Sequence, residues 1–263
     1  MKIITCVKQV PATTEVEIDP QTGNLVRDAN NVKMNPFDLY GLEMAFEIKE
    51  KIKDSSVHAI SMGPLAALGV LNESLYMGAD EATLISDRRM GGADVLATAY
   101  TISQLVKFLK PFDIVICGKQ TTDGDTAQVG PEMAEFLGIP HVPYVTNIIK
   151  VTDKSITLRS AYDDYDEEVE VSYPCLITVE KDSNVPRLPS YKRKQEVLDY
   201  KIKVVSLGDL EDQNPAHYGL TGSPTQVDEI FPPNKSVDSK LIKGSKKEIA
   251  KELFDVLLSN KYL

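Results

Sequence analysis

Over the first 140 residues, short apolar runs alternate with longer stretches whose apolar positions recur three and four apart. Lys2–Val7, Val57–Ser61, Glu81–Ile85 and Asp113–Cys117 are β-rich runs of strand length. Between them lie helical patterns. Asn35-Pro36 reads as an N-cap followed by proline at the first helical position, and the helix it opens carries Leu42, Ala45, Phe46, Ile48 and Ile52. A second helix runs from Leu65 to about Met77, with Gly78 as its stop. A third begins beyond Gly91-Gly92, shows Leu96, Ala99, Ile102, Val106 and Leu109 on one face, and halts at Pro111. Glu15–Ile18 and Asn24–Val26 flank a turn-rich insert and predict a hairpin. Strands separated by helices of this length predict βαβ units with right-handed crossovers, an α/β fold with a mostly parallel sheet flanked by helices.

From Val145 the rhythm changes. Val145–Val151, Ser155–Ala161, Glu167–Val171 and Pro174–Val179 are short strands joined by polar turns, which predicts an antiparallel extension of the sheet. Lys181–Lys194 is irregular and basic, and Pro215–Pro233 is a Gly- and Pro-rich loop. The last pattern, Lys246–Asn260, is an amphipathic helix with Ile249, Leu253, Val256 and Leu257 on one face. It follows a proline-bearing linker, so its stripe points to packing on a partner. The chain therefore divides into an α/β domain over 1–235 and a C-terminal helical arm over 236–263.

Composition narrows the classes without naming a chemistry. Hydrophobic residues at 42% and charged residues at 26% are ordinary for a globular chain of 263 residues. The net charge of -10 argues against nucleic acid or anionic lipid as the main partner, because both demand clustered Lys and Arg. No run of about 18 apolar residues exists to span a membrane, and the apolar stretch ending at Lys8 is too short for a signal peptide. Cys6, Cys117 and Cys175 sit singly within apolar runs and read as reduced, strand-borne residues of a cytoplasmic protein. His58, His141 and His217 are scattered, so no metal site can be assembled.

Ligands of open α/β sheets bind at the carboxyl ends of the strands. Three such ends here carry ligand-ready residues: Cys6, Met62-Gly63-Pro64, and Gly118. The last opens a polar, glycine-punctuated run to Gly130, with a helical pattern starting at Thr126 and Asp125 or Thr126 as its N-cap. Backbone N–H groups at such a helix start can cradle a phosphate; a surface loop with ordinary caps is the other reading. No G-x-G-x-x-G or Walker A glycine–lysine loop is present. Met90–Val95 only faintly echoes an ATP pyrophosphatase loop, since both of its serines are missing. No nucleophile–base pair can be defended, and Asp163–Glu168 is a solvated acidic turn.

Four separated elements in order resemble the β subunit of electron transfer flavoprotein: Asn35-Pro36-Phe37-Asp38, the loop Gly118–Gly130, the stretch Thr157–Thr178, and Gly222-Ser223-Pro224-Thr225. Thr157–Thr178 departs from the family pattern at Thr157 and Tyr162 only. The resemblance implies a Rossmann-like adenine-nucleotide-binding domain paired with an electron transfer flavoprotein α subunit, on which the C-terminal arm packs. It implies a nucleotide touching Cys6, Asn35, Pro36, Phe37, Asp38, Met62 and Gly63. The same nucleotide would meet the run Gly118, Lys119, Gln120, Thr121, Thr122, Asp123, Gly124, Asp125, Thr126, Ala127, Gln128 and Val129.

Ordinary members hold AMP there and electron-bifurcating members a second FAD. The segment Ile85–Thr98 resembles the bifurcating form, with Met90 in place of a phenylalanine, Val95 in place of a threonine, and Asp94 and Thr98 retained as candidate cofactor contacts. Val185–Ser190 resembles it too, and Arg187 would be placed to tune a flavin. The bifurcating type implies FAD as cofactor and NADH as electron donor. Its electrons would divide between ferredoxin and, through the α-subunit flavin, a partner dehydrogenase. In relatives linked to acyl-CoA dehydrogenases an apolar anchor docks the partner; here that position is Tyr191, beside Lys192-Arg193-Lys194, so a flavin-dependent lactate-type dehydrogenase stands as an alternative to the acyl-CoA type. The remaining alternatives are a non-bifurcating subunit with structural AMP, and an independent ATP-binding or hydrolysing domain. No catalytic residue is required in the first two cases.

Overall fold

Apolar strand runs and amphipathic helices assemble a nine-stranded sheet covered on both faces. The computed structural model describes residues 1–12, 31–228 and 239–263. The hairpin expected over Glu15–Ile18 and Asn24–Val26 lies outside them. Strands β1 (Lys2–Cys6), β4 (Ser56–Met62), β5 (Glu81–Ile85) and β6 (Ile114–Gly118) form the parallel centre, alternating with helices α1 (Pro36–Lys51), α2 (Leu68–Met77) and α3 (Val95–Phe108). Between β1 and α1, the short β2 (Gln9–Pro11) and β3 (Val32–Met34) pair antiparallel as a separate ribbon. Helix α4 (Val129–Leu137) leads to β7 (His141–Val151), β8 (Ser155–Ala161), β9 (Asp166–Ser172) and β10 (Cys175–Val179). A short α5 (Tyr191–Glu196) precedes the edge strand β11 (Lys203–Val205). The spatial order is β11-β5-β4-β1-β6-β10-β7-β8-β9.

The antiparallel extension is real but smaller than the sequence suggests. β7, β8 and β9 pair antiparallel, whereas β10, expected among them, lies parallel between β6 and β7. The reason is legible in burial. All five residues of β10 are buried, the mark of a strand covered on both faces, while β9 alternates exposed positions with half-buried or buried ones. β7 also starts four residues earlier than expected: His141 and Val142 already pair with β10, before a register shift across Pro143-Tyr144 in which Tyr144 takes a left-handed φ of 52°.

One core packs α1 and α2 on one face through Leu42, Phe46, Leu71 and Leu75. The other packs α3 and α4 through Leu105, Val106, Met133 and Ala134, and extends to Leu207 and Tyr218. On α3 the buried face is Ala97, Ala99, Thr101, Leu105 and Val106, and Leu96, expected in the core, is exposed. Much of the loop beyond Pro215 is ordered, since Tyr218 is fully buried.

The chain divides into two units, Met1–Val227 and Asp228–Leu263. In the second, α6 (Lys246–Ser259) opens with a capping box in which Ser245 and Glu248 satisfy each other's backbone N–H groups. None of its residues is buried, and Leu253, Phe254 and Leu258 are about half exposed.

Candidate nucleotide-binding site

The strand order reverses at β1: the chain builds outward through β4 and β5, then returns to β6 on the other side of β1. Connections diverge above that point and leave a crevice at the strand carboxyl ends. A cavity of about 480 Å³ fills it, within the ~300–1,000 Å³ typical of small-molecule and cofactor sites. Its floor is Cys6, Ile60, Ser61, Met62, Cys117 and Gly118; one wall is Lys119–Thr121, Gly124 and Thr126–Gly130, and the facing wall is Met90, Gly92–Val95, Thr98 and Ile102.

The first wall is held by the start of α1. Asn35 is fully buried and sits at the N-cap position as the sequence predicts, yet its side chain makes no cap bond. Its Nδ2 instead donates to the Gln120 carbonyl at 2.9 Å, and its Oδ1 accepts from the Thr122 N–H at 3.3 Å. Asp38 Oδ2 accepts from the Lys8 N–H at 2.7 Å. Gly118 is the contact point of these pieces, because a Cβ there would lie 2.5 Å from Asp38 Oδ1 and 2.6 Å from the Phe37 carbonyl carbon. Further along, Asp123 pairs with Lys8 Nζ at 2.8 Å and Asp125 Oδ1 accepts from Gln120 Nε2 at 2.7 Å. Asp125 and Ala127 adopt left-handed φ of 53° and 55°, so the helix begins at Val129, not at Thr126. Its N-cap is Gln128, with no side-chain cap bond, which leaves the first backbone N–H groups of α4 for a ligand.

The facing wall is the N-terminus of α3. Asp94 caps it, its Oδ1 accepting from Ala97 N–H at 3.0 Å. Its Oδ2 accepts from the N–H and Oγ1 of Thr225 at 3.0 and 2.8 Å, and its own N–H donates to Ser223 Oγ at 2.8 Å. The Gly222–Thr225 element is thus a clasp over the start of α3.

The electron transfer flavoprotein domain matches residues 22–205. The chain is 45% identical over 251 residues to the electron transfer flavoprotein subunit beta of Clostridium acetobutylicum, covering 95% of this chain and 93% of that one. The chain belongs to the electron transfer flavoprotein family, with the β subunits. The β subunit from Megasphaera elsdenii is 43% identical over 90% of this chain and 89% of its own. The caffeyl-CoA reductase–Etf complex subunit CarD of Acetobacterium woodii is 41% identical over 93% of each chain.

Within this electron transfer flavoprotein subunit, the sequence-derived candidates fall into three groups. Cys6, Asp38, Met62, Gly63, Asp94, Thr98, Gly118, Lys119, Gln120, Thr121, Gly124, Thr126, Ala127, Gln128 and Val129 line the cavity. Asn35, Pro36, Phe37, Thr122, Asp123 and Asp125 do not; Asn35, Asp123 and Asp125 shape the loop through the bonds just given. Arg187 is not brought to the cavity. Its guanidinium pairs with Glu43 at 2.7 Å and Glu50 at 3.0 Å on α1 and lies 4.7 Å from the Phe46 ring centre. That is a brace for its own loop. Lys8, Ser61, Met90, Val95, Ile102 and Gly130 also line the cavity, although none is among the candidate contacts. A readable signal existed for Lys8 and Ser61, each within two residues of a predicted strand end.

Electrostatically the cavity offers dipoles more than free charges. Lys8 is paired with Asp123, and Lys119 with Glu180 at 2.8 Å. Burial pushes the Asp38 carboxyl up to about 7, despite opposing hydrogen bonds from Asn35 and the Lys8 N–H. It is therefore part-protonated near neutrality and repels an anion less than an ordinary aspartate. Burial also works against the Asp94 charge, but the N–H and hydroxyl donors around it win and hold its carboxyl below the usual range. Ser61 Oγ is buried on the cavity floor with no hydrogen-bond partner. A phosphorylated ligand with hydroxyls would satisfy it, and the uncapped N-terminus of α4 suits the phosphate charge. The residues present fit an adenine nucleotide.

Proposed function

We propose that the cavity holds FAD and that this β subunit works in the cytoplasm as the NADH-linked half of an electron-bifurcating flavoprotein. Electrons from NADH would be divided between ferredoxin and, through the flavin of an α subunit, a flavin-dependent dehydrogenase of acyl-CoA or lactate type. The observation that carries this reading is the second wall. A single phosphate on AMP needs only the strand ends and the 118–130 loop, yet the cavity continues to the first turn of α3 at Gly92–Thr98. That wall gives a dinucleotide's further phosphate room beside the first turn of α3, where Asp94 caps the helix and takes the Ala97 N–H. The likeness to a subunit of a caffeyl-CoA reductase complex and, at 40% identity, to an acryloyl-CoA reductase electron transfer subunit supports the same reading.

A bound flavin supplies acceptance of an electron pair and its release one electron at a time. The chain supplies the rest. The uncapped N-terminus of α4 would bind phosphate charge without a free lysine, and Asn35 and Asp38 fix the loop that carries it. Gly118 allows the close approach of α1 to that loop. Partner contact falls to two other regions. Val185, Leu188 and Tyr191 are 90%, 86% and 76% exposed beside Lys192, a surface fitted to dock a dehydrogenase. The unburied apolar stripe of α6 is fitted to the α subunit.

The test is anaerobic turnover of the heterodimer with NADH, ferredoxin and a high-potential acceptor together. Reduction of ferredoxin only when the second acceptor is present supports bifurcation. Acceptor reduction with ferredoxin never reduced would remove it and favour the AMP-holding alternative.

A further inference from the structure

Two of the three cysteines meet at the switch point. β1 and β6 pair in parallel with Thr5 opposite Ile116, and the next residue on each strand is a cysteine, Cys6 and Cys117. Paired positions on neighbouring strands point to the same face. Both residues accordingly lie with the α3–α4 core, and both line the cavity floor. Neighbouring strands lie ~4.8 Å apart, within the ~4.4–6.8 Å Cα separation that a disulfide bridges. Cys175 differs on each count: it is on β10, fully buried in the opposite core, and outside the cavity.

We propose that Cys6 and Cys117 are a redox-sensitive dithiol in the cavity floor, which a two-electron oxidant of the peroxide class closes to a cross-strand disulfide. Two S–H bonds break and one Sγ–Sγ bond forms. The two protons and two electrons released reduce one hydrogen peroxide to two waters. The Cys117 thiol beside it, and then burial, raise the Cys6 pKa well above that of a free thiol. The thiolate is the attacking species, so closure is slow near neutrality and quickens about tenfold per pH unit toward alkaline conditions. The disulfide does not depend on which ligand the cavity takes. Shielding of the pair by a bound nucleotide does rest on the proposed nucleotide reading.

The experiment treats the heterodimer with hydrogen peroxide at neutral and alkaline pH, as purified and after its nucleotide is removed. Free thiols are then alkylated under denaturing conditions and the unreduced digest is weighed. The expected result in nucleotide-free protein is one linked pair of peptides, containing Cys6 and Cys117 and lighter by two hydrogens, with Cys175 alkylated. The link should vanish in Cys6→Ser and in Cys117→Ser. Separate alkylation of Cys6 and Cys117 after oxidation, or equal oxidation of Cys175, would overturn the dithiol. A link that forms at the same rate with nucleotide bound supports the dithiol while counting against the nucleotide reading.

Discussion

The cavity and the C-terminal arm treat their side chains in opposite ways. Around the cavity, polar groups far apart in sequence complete one another: Asn35 with Gln120, Lys8 with Asp123, Asp94 with Thr225. In the arm, α6 satisfies its backbone with a capping box but leaves every helical residue unburied and its large apolar residues half exposed. The difference separates a region that completes its own polar groups from one whose apolar side chains stand exposed on a single helix. The cavity is preorganised before any ligand arrives, and what it lacks is a polar group for Ser61. The arm carries apolar side chains about half exposed on α6, the stripe we propose the α subunit covers.

Removing the arm should separate the two regions most sharply. Cutting before Lys246 is expected to weaken heterodimer association by about 100-fold, the loss of a few half-buried apolar anchors. The melting temperature of the isolated chain should hardly change. Association that survives intact, measured by titration calorimetry, would show that the stripe of α6 has no partner.

Gly118→Ala attacks the other side of the comparison. The new Cβ meets backbone of Phe37 and the Asp38 carboxylate, neither of which can step aside. Denaturant unfolding should lose about 2–3 kcal/mol and nucleotide affinity should fall with it. Gly69 in α2 has open space around it, so Gly69→Ala is the control and should be neutral or slightly stabilising. Equal effects at the two glycines would contradict the close approach at Gly118.

Asn35→Ala removes the tie between α1 and the 118–130 loop and leaves the Thr122 N–H without its partner. A loss of about 2 kcal/mol is expected, with faster hydrogen exchange confined to the Gln120–Thr122 backbone. Exchange unchanged there would show that the loop holds itself.

The smallest effect is pH dependence at Asp38. Its carboxyl is raised from 3.8 to about 7 in the fold, so the folded chain binds a proton between those values that the unfolded chain has released. Its contribution to stability is fully present below about pH 4 and is lost as pH rises through 7. His58 and His141, both lowered to about 4 by burial, act in the opposite sense, so Asp38 must be isolated by difference. Wild type minus Asp38→Asn should lose about 1–2 kcal/mol between mildly acid and mildly alkaline urea titrations. A difference that is flat or rises with pH would contradict the buried carboxyl.

The sequence exposed the repeating strand–helix core because each parallel strand and each helix carries its own apolar pattern. It also exposed most of the cavity, since ligands of such sheets gather at strand ends, and Cys6, Met62 and Gly118 are strand ends. What stayed hidden is non-local. β10 sits near the antiparallel strands in sequence, and only its continuous burial marks it as an inner parallel strand. The left-handed turns at Asp125 and Ala127 carry no glycine to announce them, which moved the start of α4 by three residues. Asn35 looked like an ordinary cap, and its bonds to a loop 85 and 87 positions away have no local signature. The pairing of Arg187 with Glu43 and Glu50, far away in sequence, likewise has no local signature.

The central claim is that the crevice above β1 and β6 holds FAD. The heterodimer should be purified with its α subunit, its nucleotides released by acid, and FAD and AMP counted per heterodimer. Two FAD and no AMP is the predicted result. One FAD with one AMP would contradict it.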